Sequence, residues 1–180
     1  MRRVALSKIH RLLYPAVPVV VAAARADGVS AMPVVSAVSL SSNPPLVGLS
    51  LSPSHATYGA IVKSGSFSVS WLDRRYTEEV EKLGSTSGAN TKDKLSAAGL
   101  HYDLRGSPAV PLIRESSAYL ACGLADVRSF GDHDLVVGAV RVARAIEDFS
   151  DYWSFRTYHP ILYSGLGRRP PSHWRAVRRS

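Results

Sequence analysis

Tyr119-Leu-Ala-Cys-Gly-Leu-Ala-Asp-Val-Arg128 and Leu135-Val-Val-Gly-Ala-Val-Arg-Val-Ala-Arg-Ala-Ile146 flank the tetrapeptide Gly131-Asp132-His133-Asp134. Two long, largely apolar runs joined by a Gly-Asp turn read as a long antiparallel hairpin. The same alphabet extends outward from it. Upstream, Val110 to Ile113 reads as extended, and downstream Ile161-Leu162-Tyr163 reads as a last short strand. Near the N-terminus, Val17 to Ala24 is a buried-strand candidate, Asp27-Gly28 a hairpin turn, and Val29 to Ser39 the return strand. Ser41-Ser42-Asn43-Pro44-Pro45 turns the chain, because proline donates nothing to a ladder, and Leu46 to Leu51 is too uniformly apolar for a half-exposed strand. Ser66 to Trp71 is another strand.

Helical signals are few and short. Ser54 is placed to cap a helix with its body at Thr57 to Lys63, which Gly65 ends. Glu78 to Gly84 looks helical, and a further capped helix runs from Asn90 or Thr91 to Ala98, closed by Gly99. Many strands, hairpin connections and short helices point to a mainly β protein, an antiparallel barrel with helical insertions. There is no β-α-β alternation, no Gly-x-Gly-x-x-Gly and no Walker loop, which argues against a Rossmann or P-loop domain.

Composition bounds the rest. The 180 residues suit one domain and a sizeable core, and 46% are apolar. A single cysteine, Cys122, excludes an internal disulfide and reads as packing, and no Cys/His cluster has metal-ligand spacing, so no metal is expected. The +8 formal charge is concentrated at the ends, in Arg2, Arg3, Lys8 and Arg11 and in Arg168, Arg169, Arg175, Arg178 and Arg179. No nucleic-acid motif accompanies these residues, so they read as solvated tails at 1–13 and 168–180 around a domain at 14–167. Met1 to Ala24 has the outline of a secretory signal, but Pro15 and Pro18 interrupt its apolar run, which is too short to span a bilayer. A cytoplasmic protein without membrane insertion is the expectation.

Ser52, Ser54, His55 and Thr57 fall just before or within the first turn of a helix. Hydroxyls and unpaired N–H groups there suit an anion, although turn and cap chemistry alone would use the same residues. Lys92 and Lys94 open the next helix and, by themselves, read as a solvated face. His133 reads as a turn histidine whose neighbours Asp132 and Asp134 favour the imidazolium.

Five pieces in order carry a resemblance over Tyr14 to about Gly167. They are Tyr14-Pro15-Ala16-Val17-Pro18-Val19 with Asp27-Gly28; Ser36-Ala37-Val38-Ser39 before Pro44-Pro45-Leu46-Val47; Thr57-Tyr58-Gly59-Ala60-Ile61 leading into Ser64 to Val69; Thr86-Ser87-Gly88 with Asp93-Lys94-Leu95 and Ala98-Gly99-Leu100; and Gly131 to Val140. Together they resemble the flavin reductase-like, FMN-binding split-barrel family, in particular its flavoredoxin-type members. Departures occur at Ser70, where asparagine is common; at His55, where a basic residue is common; in Ser87-Gly88-Ala89-Asn90, which carries an extra residue; and at Ala139, where glutamate is common.

The resemblance implies a split β-barrel that binds FMN at a homodimer interface. It also implies reduction by NADH or NADPH and delivery of electrons to free flavin, ferric complexes or a partner protein; the alternative it leaves open is a flavoredoxin-like electron relay. It implies that Ser36, Ala37, Val38 and Ser39 line the isoalloxazine edge. Leu51, Ser52, His55, Thr57 and Ser87 would be further cofactor-binding positions, and Lys92 or Lys94, with Lys94 favoured, would reach the phosphate. It places His133 near the flavin, as the catalytic candidate that orients substrate. Tyr14, Trp71 and Tyr163 read as core or interface aromatics, one of which would cover a flavin face.

Overall fold

In the computed structural model, which describes residues 1, 3–88, 90–165 and 174–176, an exposed 3-10 helix at Leu6–Leu13 leads into the first strands. These are β1 (Val19–Arg25), β2 (Gly28–Val34), β3 (Ala37–Ser42) and β4 (Pro45–Leu51), followed by α1 (Ala56–Ser64) and β5 (Ser66–Leu72). A 3-10 turn at Arg74–Tyr76 enters α2 (Thr77–Ser85), and then come α3 (Lys94–Ala98) and the short hairpin β6 (Tyr102–Arg105) and β7 (Val110–Ile113). The long hairpin is β8 (Ser116–Phe130) and β9 (His133–Ala145), and β10 (Ile161–Tyr163) pairs with β11 (Trp174–Ala176).

The long hairpin organises the sheet, whose strand order is β2-β1-β5-β8-β9-β4-β3 and whose pairings are antiparallel. Its two edge strands, β2 and β3, are consecutive in the chain and separated by only Val35 and Ser36. The sheet therefore curls until its edges meet at one end without pairing, an antiparallel split barrel. Pro33 is tolerated within β2 because β2 is an edge.

The unbroken apolar run of β1 follows from its burial on both faces. Val19, Val21 and Ala23 point into the barrel with Leu49, Leu51, Ile61, Phe67, Val69 and Val136. Val20 and Ala22 point outward, under a second core of Val29, Ala31, Val80, Leu83, Leu95 and Ile113 supplied by β2, α2, α3 and β7. Serines alternate with Phe67 and Val69 along β5, and they fasten the β6–β7 hairpin: Ser66 Oγ donates to Ala109 O and Ser68 Oγ to Pro111 O.

Several expected boundaries move. Val29 to Ser39 is two strands, because the chain crosses the open seam at Val35-Ser36. The β1–β2 turn is Ala26-Asp27, and Gly28 opens β2 at φ 145°, its backbone against Lys92 O. Ser54 does not cap α1; the cap is His55, and the Ser54 hydroxyl meets that of Ser52 at 2.9 Å. The expected helix from Asn90 or Thr91 begins only at Lys94, where Asp93 Oδ1 accepts from Ser96 N at 3.1 Å. Lys92 thus lies before the helix, its carbonyl accepting from Val29 N at 3.1 Å. His133 is the first residue of β9, opposite Phe130, so the turn itself is Gly131-Asp132. Of the segment 168–180 expected as a C-terminal tail, Trp174–Ala176 form β11, and 168–173 and 177–180 lie outside the described residues.

Candidate functional site

The seam end of the barrel carries a cleft of about 1020 Å³. One end of it is polar and is built from the start of α1. β4 ends at buried Leu51, and His55 N then donates to Ser52 O at 3.1 Å, turning the chain into the helix. No side chain caps this helix, so its first N–H groups and the positive end of its dipole face the cleft. Thr57 is buried, and its hydroxyl is 3.0 Å from that of Ser30 on β2. Tyr58 OH donates to Asp134 Oδ2 at 2.6 Å, which fixes the helix to β9.

Lys94 enters from α3. Its Nζ donates to Leu83 O at 2.9 Å at only 5% exposure, and burial lowers its pKa below the ordinary lysine value. An ammonium carries three N–H groups, so donors remain for a ligand. The loop after α2 closes this end: Thr86 Oγ1 donates to Lys82 O at 2.7 Å, and Arg25 Nη1 donates to Gly88 O at 3.0 Å. A Cβ on Gly88 would stand 2.9 Å from Ala56 Cβ, so only glycine lets the loop lie against the helix start.

The other end is flat and apolar. Met32, Pro33 and Val35 contribute the β2 edge. Tyr14 and Tyr163 meet edge to face at 4.9 Å and 79°, held by the paired backbone bonds between Ala16 and Tyr163. Glu81 is the acid in the lining, and its Oε1 is buried with no hydrogen-bond partner among the described residues.

Of the positions expected from the sequence to hold the cofactor, the cleft brings together Ser54, His55, Thr57, Ser87 and Lys94. The others lie outside its lining. Ser36 follows Val35 at the rim and donates its hydroxyl to Ser50 O at 2.8 Å, while Ala37, Val38 and Ser39 run away along the β3 edge. Leu51 sits in the barrel core, Ser52 engages Ser54, and Lys92 points to solvent. His133 opens β9, next to the Asp134 that holds Tyr58 but outside the cleft lining, its Nδ1 2.9 Å from Asp132 Oδ1, and holds that carboxyl below the usual range. Cys122 is buried, and burial pushes its thiol up to about 12. Trp71 packs against the barrel core, so Tyr14 and Tyr163 are the aromatics that reach the cleft. Sequence reading missed Ser30, Met32, Pro33 and Glu81. Ser30 and Pro33 carry no local signal, and Glu81 sits in a charged helix that reads as a solvated face.

Anion donors and apolar residues thus line one cleft, a combination that suits a ring carrying an anionic tail. A family profile described as "Flavin reductase like domain" matches residues 10–163. The chain is 36% identical over 172 residues to an uncharacterized protein of Aeropyrum pernix, covering 94% of this chain and 65% of that protein. It is 34% identical to a flavin reductase of Pseudomonas putida, covering 71% of this chain and 72% of that protein. Among solved structures, an FMN-binding protein of Thermus thermophilus with bound p-hydroxybenzaldehyde superposes with a TM-score of 0.73 at 33% identity, covering 85% and 83% of the two chains. The chain belongs to the flavin reductase-like family of split-barrel flavoproteins.

The residues present fit a phosphorylated flavin. The buried Lys94 ammonium, the Thr57 hydroxyl and the uncapped α1 start form a donor set suited to phosphate. Among the described residues no group of His, Cys, Asp and Glu could hold a metal ion, and no helix is long and apolar enough to cross a membrane.

Proposed function

We propose that this chain is an NAD(P)H-dependent flavin reductase that holds FMN in the cleft. The observation that carries this reading is Lys94, a buried cation facing a cleft whose opposite end is Tyr14, Tyr163 and Pro33. FMN held there would supply the redox chemistry, two-electron reduction by NADH or NADPH and onward delivery to free flavin, ferric complexes or a partner protein. The protein's own part is positional. Lys94, Thr57, His55 and the α1 N–H groups bind the phosphate, while Ser87 borders the ribityl path. Pro33, Val35 and the two tyrosines support the ring and exclude water from one face. Ser36, beside Val35 at the rim, meets the ring edge, while Ala37, Val38 and Ser39 lead away along β3. His133 orients the incoming nicotinamide, since hydride transfer needs no protein base. A second copy of the chain covers the open side of the cleft in a homodimer.

Reconstitution with FMN tests the reading. The expected product is yellow and oxidises NADH or NADPH with saturation kinetics. Thr57→Ala combined with Lys94→Met is expected to weaken FMN at least tenfold, about 1.4 kcal/mol. A yellow protein that consumes neither nucleotide would be an electron relay instead; a colourless one overturns the assignment.

A further inference from the structure

Beyond Gly88 lies a second hollow of about 510 Å³, between the β1–β2 turn and α1. It shares Ala56, Gly59 and Gly88 with the cleft, so the two meet at the start of the helix. Four of its lining residues have small or no side chains: Ala24, Ala26, Gly59 and Ala60. Gly59 lies inside α1, where glycine is disfavoured, yet a Cβ built there meets nothing within 4 Å. No packing demands this glycine, and its absent side chain leaves the hollow open.

Arg25 forms one wall. Its Nε and Nη2 donate to Asp27 Oδ1 and Oδ2 at 3.0 and 3.3 Å, and its Nη1 donates to Gly88 O at 3.0 Å. All three nitrogens are tied, so the guanidinium plane is immobilised while 27% of the side chain stays exposed. Asp27 offsets its charge. What remains is a flat, weakly hydrated face of the kind on which heteroaromatic rings stack. Lys63, in the last turn of α1, stands at the other end, about 10 Å from Ala56 at 1.5 Å per residue.

We propose that this hollow lodges the adenylyl group of a dinucleotide whose other half occupies the cleft. The purine stacks on Arg25 beside the alanines, and Lys63 donates to its ring nitrogens or ribose oxygens. The proposal rests on the flavin reading above, because a phosphate at the α1 start would direct whatever is bonded beyond it past Gly88. A flavin dinucleotide and a nicotinamide dinucleotide both carry this group.

The test uses Ala26→Leu and Lys63→Glu, exposed positions that line the hollow and not the cleft. FMN and FAD are titrated into the full chain, and the KM for NADH is measured at saturating FMN. Each variant is expected to weaken either FAD binding or NADH saturation by about fivefold or more, with FMN affinity within about twofold of wild type. Loss confined to FAD assigns the adenylyl group to the flavin, and loss confined to NADH assigns it to the donor. The proposal falls if both quantities stay within about twofold of wild type, or if FMN weakens equally. A wild-type chain that binds neither flavin overturns the underlying reading as well, and that outcome needs no variant to be seen.

Discussion

Gly138 and Lys94 show how single positions decide the barrel and its cleft. A Cβ on Gly138 would fall 2.5 Å from Phe67 Cζ, and Phe67 is fully buried at the barrel centre. The ring has nowhere to go, so Gly138→Ala is expected to cost about 1–3 kcal/mol, read as a lower denaturation midpoint with an unchanged slope. Lys94 sets a pH dependence. Only its ammonium attracts phosphate, and burial has lowered the pKa below 10.5. FMN affinity is therefore expected to fall as pH rises through that lowered value, earlier than for an ordinary lysine; Lys94→Met should remove this step in a titration from neutral to alkaline pH. The apo chain follows the opposite sign, gaining stability between the lowered value and 10.5, since folding favours the neutral amine. At this scale the sequence was partly legible. Thr57 and Lys94 stood in motif positions that reach the cleft, whereas Ser39 and Lys92 stood in equally suggestive ones that do not. Side-chain direction decides which is which, and Lys92 points away because its carbonyl is committed to β2.

Among the elements, β10 depends on one carboxylate. Burial alone would raise the pKa of Asp73, but N–H donors from His159 and Arg75 and the Arg75 guanidinium outweigh it and hold the group below its usual range. Asp73 Oδ2 accepts from His159 N at 2.8 Å, and Asp73 bridges Pro160 in the backbone, so the strand bearing Tyr163 is tied to the end of β5. Asp73→Ala is expected to destabilise by about 1–3 kcal/mol at neutral pH and to weaken FMN through Tyr163. Because the carboxyl is depressed in the fold, this contribution is full above the ordinary carboxylate pKa, about 3.9, and lost as pH falls through the folded value. The stability gap between wild type and variant should thus close in strong acid. Most strands were legible, since their apolar runs are long and bounded by Gly, Pro and Asp turns. Helix starts were not: Ser54 looked like a cap, yet its hydroxyl bonds to Ser52 while the backbone turns at His55. β7 was read as extended, but its partner β6 escaped notice because Tyr102–Arg105 is polar, and the hairpin is secured from outside by the β5 serines.

For the whole molecule, the cleft couples ligand to fold. FMN at a hundred times its dissociation constant should add about 2.7 kcal/mol. At about 2–4 °C per kcal/mol for a chain of this size, the melting midpoint is expected to rise by about 5–10 °C, and an unchanged midpoint would count against a cleft preformed in the fold. The antiparallel class was readable from the long hairpin outward, but not the strand count: eight strands were read where the described residues form eleven, since β2 and β3 ran together and β6 and β11 went unread. The seam was not, because nothing local in Val35-Ser36 announces that the chain passes from one sheet edge to the other.

That seam is flanked by Tyr14, from the beginning of the domain, and Tyr163, from near its end, laddered together through Ala16. The polypeptide is thus buckled like a belt, and the buckle lines the cleft proposed for FMN. Such a clasp makes the bound pigment a gauge of the protein's integrity: trimming either extremity past the clasp would spill the colour long before it unravelled the seven strands behind.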